Sequence, residues 1–138
     1  MAFVAFVLGW LRGGHPERFG VMVLLVDHVG ATHLFAWVHS SALEAALDVL
    51  LLTIFGGLAF RGGRWWPYVV TAALALIVTV HLLAGLTWIG RYDALSARIG
   101  LWILVYATVL VGVGERWLAG ERAVSEDLSW RRRVSPAS

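Results

Sequence analysis

The chain has 138 residues, enough for one domain. Apolar residues make up 59% and charged residues 14%, where a soluble domain carries about 25% charged. The mean hydropathy of +0.77 points the same way, towards a chain that lives in a bilayer. Cysteine is absent, which excludes disulfides, zinc–cysteine sites, iron–sulfur clusters and thiol chemistry. The formal charge of +2 says little by itself, and all eleven basic residues are arginine.

The first segment, "MAFVAFVLGWL", is apolar over only about ten residues. That is too short to span, and it lacks the basic start of a signal peptide. It is expected to form a helix at about 2–12, lying in the membrane interface or packed against the bundle. Continued upstream, it could instead be the end of a fifth span.

Pro16 and Glu17 precede "RFGVMVLLV". A proline in the first turn beside an acid is a helix start, so a first span is expected at about 16–39. Ser41 and Glu44 form an S-x-x-E capping box that opens a second, at about 41–60. Gly62 and Gly63 are expected to stop it in the left-handed conformation. Pro67, after Trp65 and Trp66, opens a third at about 66–89. Asp93 or Ser96 caps a fourth at about 95–119. Residues 1–119 thus form a membrane domain, and 120–138 a polar tail outside it. The fold class read here is all-α, an integral membrane bundle of four transmembrane helices with a short N-terminal interfacial helix.

Orientation follows from the arginines. Nine of them (12, 18, 61, 64, 116, 122, 131, 132 and 133) fall on one side of this topology, and only Arg91 and Arg98 on the other. By the positive-inside rule both termini are expected in the cytoplasm. Trp10, Trp65, Trp66, Trp88, Trp117 and Trp130 fall near helix ends, where indoles settle among headgroups. The tail arginines with Trp130 suit anionic lipid. Without a folded basic surface outside the membrane, nucleic acid is not an expected partner.

The polar residues inside the spans need a reason, because a charge in hydrocarbon costs at least ~2.5–3.5 kcal/mol. At about 100° per residue, Asp27, His28, His33 and His39 point to several faces of the first span, so it should be central in a bundle or oligomer, or some of these groups should meet water. His33 and His81 should lie at similar depth, within about one turn of ~5.4 Å. Glu44 and Asp48, four apart, share a face. A cluster of His33, His81 and Asp48 is then geometrically open, and Arg91 or Arg98 can pair with Glu44 or Asp93.

Three readings compete for these groups. In the first, Asp27, His28 and Asp48 are interhelical hydrogen-bond pins worth ~0.6–2 kcal/mol each. In the second, His33 and His81 bind a b-type haem or line a quinone pocket. In the third, Asp27 with His28 is a proton relay of a small coupled transporter. No metal or catalytic signature is present. Thr71, Ala75 and Thr79 form a small-residue stripe suited to close helix contact.

The runs "GGHPERFGVMVLLVDH" and "FRGGRWWP" resemble small uncharacterised membrane proteins of alphaproteobacteria, sphingomonads especially. The resemblance implies an inner-membrane location and no known activity. "DHVGAT" bears a faint likeness to the E-V-x-G-T motif of small multidrug-resistance transporters, with Asp27 where their glutamate stands. This chain is longer, has a basic tail and lacks their later aromatic motif, so the function is not carried over. The expected function is that of a non-catalytic structural or accessory subunit. It would pack in the lipid bilayer against itself or other membrane subunits, with a respiratory or photosynthetic complex as host.

Overall fold

A computed structural model describes residues 2–34, 41–61 and 63–120. Among them every regular element is a helix: α1 (Ala2–Arg12), α2 (His15–Leu34), α3 (Ser41–Arg61), α4 (Trp66–Gly85) and α5 (Arg91–Leu118). Four expectations fall outside the description: the end of the first span, the tail with Trp130, Gly62 and the histidine at 39. The side chains of His33 and Ser41 are likewise not described.

Three of these helices are long and apolar enough to cross a membrane: α3, α4 and α5. The fourth expected span, α2, has 20 residues but carries Glu17, Arg18 and Asp27. Helix α1 is apolar and shorter. It folds back antiparallel on α2 across Gly13 and Gly14. A Cβ on Gly9 would collide with Val21 of α2, and the Phe6 ring lies 5.8 Å from Tyr106 of α5. Helix α1 is thus packed against the bundle.

Helix α2 is not at the centre of the bundle, and His28 on it is exposed. Helix α4 lies between α3 and α5, while α2 touches α3 and α5 more lightly and shares its side with α1. The core is built from Leu24, Leu51, Phe55, Trp66, Val70, Leu74, Ile77, Val105 and Val109. Trp66 is a correction to the girdle of interfacial indoles. It is 1% exposed and wedged between two glycines, since a Cβ on Gly20 of α2 or Gly112 of α5 would stand 2.9 or 2.8 Å from its ring. Its neighbour Trp65, and Trp10, Trp88 and Trp117, do face outwards.

The junction between α4 and α5 comes earlier than expected. Trp88 N–H donates to Leu83 O at 3.0 Å and Thr87 N–H to Ala84 O at 3.2 Å, the paired bonds of a Schellman stop. The left-handed residue is Thr87, at φ 60°, where glycine is usual because a Cβ crowds the carbonyl. Helix α4 therefore ends at Gly85, and Gly90 is the N-cap of α5, with Asp93 in the first turn and no side-chain cap bond. At the end of α3, Gly63 is not left-handed.

The stripe on α4 is also turned the other way. Ala75 and Thr79 are exposed and Thr71 half-buried. Both threonine hydroxyls donate back to carbonyls of their own helix, Thr71 to Pro67 and Thr79 to Ala75. The inward face carries Trp66, Val70, Ala73, Leu74 and Ile77 instead.

Candidate functional site

Two polar centres lie inside this apolar frame. The first joins the start of α2, the start of α4 and the end of α5. Glu17, fully buried, accepts from Gly14 N–H at 2.9 Å, from the Trp66 indole N–H at 3.3 Å and from Arg116 at 3.3 Å. The Trp65 indole donates to Glu115 beside it. A Cβ on Gly14 would displace the Arg116 guanidinium from its place beside Glu17. Arg18 covers the Trp10 ring at 5.8 Å.

A buried carboxylate with three donors, one of them charged, is a fastener. Removing either partner of such a pair strands the other charge and costs ~3–5 kcal/mol. Sequence reasoning took Glu17 for a helix-start acid and Trp66 for an interfacial indole. No local signal separates those roles from this one, since the partners lie 49 and 99 residues away.

The second centre lies deeper. On α3, Asp48 is 5% exposed, and its Oδ2 stands 2.8 Å from His81 Nε2 on α4. Neither atom has an aligned hydrogen-bond partner among the described residues. The carboxylate oxygen sits off the N–H axis of the imidazole, so the contact is a close polar approach rather than a straight hydrogen bond. One turn before Asp48, Glu44 accepts from Arg98 of α5 at 2.9 Å. These two side chains are 34% and 26% exposed, so they form the outer rim of the centre.

Asp27, half-buried on α2, lies within electrostatic reach of Asp48 and of His28, and Tyr106 of α5 faces it. The His28 ring is 6.1 Å from Phe6 of α1. Tyr106 stacks on Trp102 with centroids 5.8 Å apart.

The structure therefore brings Asp27, Asp48 and His81 to one region, with Arg98 and Glu44 beside them. His28 stands at its edge. No three of the described His, Asp and Glu side chains converge as a metal-ligand set. His81 turns Nε2, a nitrogen that could bind a haem iron, towards Asp48. The side chain of His33 lies outside the description, so the pair expected to hold a haem is not seen together. Sequence reasoning singled out the acids and His81 by their cost in hydrocarbon, and missed Tyr106.

Comparison with protein families, characterised proteins and solved structures finds no match for this chain.

Proposed function

We propose that the chain crosses the bacterial inner membrane four times, with both termini in the cytoplasm. In that membrane it serves as a non-catalytic subunit that packs against a second copy or a larger membrane complex.

The observation that carries this reading is the small-residue face of α4. The interior is filled without Ala72, Ala75 and Thr79, and all three are exposed. In lipid, small side chains let helix backbones approach closely, and association there is driven by such packing. Gly57, on the neighbouring α3, is exposed and has open space around it.

Support for four crossings comes from the arrangement of helix ends. The starts of α2 and α4 and the end of α5 share the Glu17 centre, so α2 runs alongside α4. At about 1.5 Å per residue its 20 residues reach ~30 Å, the thickness of the hydrocarbon. Arg12, Arg18, Arg64 and Arg116 lie around that end, and Arg91 and Arg98 at the start of α5 lie at the other. Positive charge gathers on the cytoplasmic side of such bundles.

The chain lacks cysteine, so single cysteines report contacts cleanly. Ala75→Cys and Thr79→Cys should form disulfide-linked dimers in native membranes, or crosslink to a partner recovered with the protein in mild detergent. Leu104→Cys on α5 should do neither. A lone monomer in nanodiscs, with no crosslink from α4 in the source membrane, overturns the reading. A tail accessible only from the periplasm overturns the topology.

A further inference from the structure

We propose that Asp27, Asp48 and His81 form a proton-binding site inside the bundle. It is loaded from the end marked by Glu44 and Arg98 and sealed from the arginine-rich end by apolar side chains.

Charge balance comes first. Among the described residues, the ionisable groups facing this region are Asp27 and His28 from α2, Glu44 and Asp48 from α3, His81 from α4, and Arg98 and Tyr106 from α5. Helix α1 contributes Phe6, an apolar ring. Three carboxyls thus face one permanent cation. If all three were ionised, two negative charges would stand uncompensated in a medium where one is already costly. Protons are the compensation the residues themselves can hold, on the carboxyls or on the imidazoles. A second arginine would have fixed the balance permanently. Histidine makes it adjustable, because its charge changes near neutral pH.

Geometry then sets the direction of access. Glu44 and Asp48 are one helical turn apart on one face, and Glu44 and Arg98 are part-exposed. A proton arriving at that rim is about 6 Å of helix rise from Asp48.

In the other direction the way is closed. Leu24, Leu51, Phe55, Leu74 and Val109, on four helices, are each at most 3% exposed. They fill the interval between this centre and Glu17. The next acid along α2 is Glu17 itself, ten residues or roughly 15 Å away, and its carboxylate is engaged by three donors. Among the described residues that interval holds no acid or base, and of its inward hydroxyls, Thr71 and Thr108, the first is tied to the Pro67 carbonyl of its own helix. The site therefore gains and loses protons on one side, and changes its charge without opening a leak. It lies within a single chain and does not depend on the association proposed above.

The test uses the full chain in phosphatidylcholine–phosphatidylglycerol vesicles, labelled with carbon-13 aspartate and nitrogen-15 histidine. Solid-state NMR between about pH 5 and 8 reads each protonation state directly. The His81 imidazole and the Asp27 and Asp48 carboxyl signals should change together, as one coupled group. Asp48→Asn should remove one carboxyl signal and shift the His81 titration, while Asp93→Asn leaves both unchanged. If Asp48→Asn does not fold, the unsubstituted protein still decides. An imidazole signal at His81 that stays constant across the range, or one blind to Asp27→Asn, overturns the site.

A second measurement uses vesicles whose tails point inwards and which hold a pH dye. Titration should follow the external pH, and no proton flux should appear above protein-free vesicles. Steady flux through the unsubstituted protein overturns the seal. Displacement of the signals by sodium at constant pH would make this a metal-cation site and overturn the assignment to protons.

Discussion

Replacing Glu17 by alanine should be the most damaging single change at the arginine-rich end. The substitution deletes an acceptor that serves Gly14 N–H, the Trp66 indole and Arg116. A hydrogen bond to a charged group contributes ~1.5–3 kcal/mol. Only the Gly14 bond, at 2.9 Å, has full-strength geometry; the two at 3.3 Å count for less. To this is added the loss of the Glu17 counter-charge by Arg116, whose side chain is 15% exposed and so partly relieved by water or headgroups. The expected loss is ~3–4 kcal/mol, the lower part of the range for breaking a buried pair. Glu17→Gln keeps the shape and one acceptor, and should lose about half as much. Reversible unfolding in mixed micelles, followed by circular dichroism, reads both. The decisive form is a double-mutant cycle: Glu17→Leu with Arg116→Leu should be less destabilised than the sum of the two single changes by more than ~1 kcal/mol. Additive losses, or a Glu17→Ala protein within ~1 kcal/mol of the parent, would refute the account of this carboxylate as the fastener of α2 to α5.

Other changes test other parts of the fold. Gly112→Val drives a branched side chain into the Trp66 ring and should destabilise by ~1–3 kcal/mol, measured by the same unfolding assay; Gly114→Val, with open space around it, should not. Thr87→Gly relieves a left-handed threonine in an exposed turn and should stabilise by up to ~1 kcal/mol, seen as a higher melting temperature. Arg98→Ala removes a part-exposed pair with Glu44 and should change stability by under ~1 kcal/mol. A larger effect would show that Arg98 also balances Asp48.

The sequence made the helices legible and left their faces obscure. Proline and acid at 16–17, and Pro67 after two tryptophans, mark real helix starts, because those signals act within one turn. The junction after α4 was misplaced by about four residues, since "TWIG" reads as helix until Thr87 is seen to adopt a conformation that threonine disfavours. The faces failed for a different reason. In a soluble bundle the apolar stripe points inwards, but here lipid and core are equally apolar, so periodicity finds stripes without saying which way they point. Thr71, Ala75 and Thr79 were seen as a stripe, and only packing shows that Trp66, Val70, Leu74 and Ile77 hold the inside. The polar residues were better guides. Asp48 and His81 stood out because hydrocarbon penalises them, and they do meet, whereas Glu17 was hidden by an ordinary explanation for an acid at a helix start.

The fastening of Glu17 by Arg116 has a consequence for biogenesis. The two residues are 99 positions apart, so ribosomes deliver the carboxylate long before its counter-ion. Until α5 enters the bilayer, the nascent protein holds an unneutralised acid beside a tryptophan packed only against α2 and α3. A polypeptide truncated ahead of α5 should therefore remain open at that corner and be an easy substrate for membrane proteases. Arrival of α5 closes it, so this corner of the fold matures only once that helix is in place.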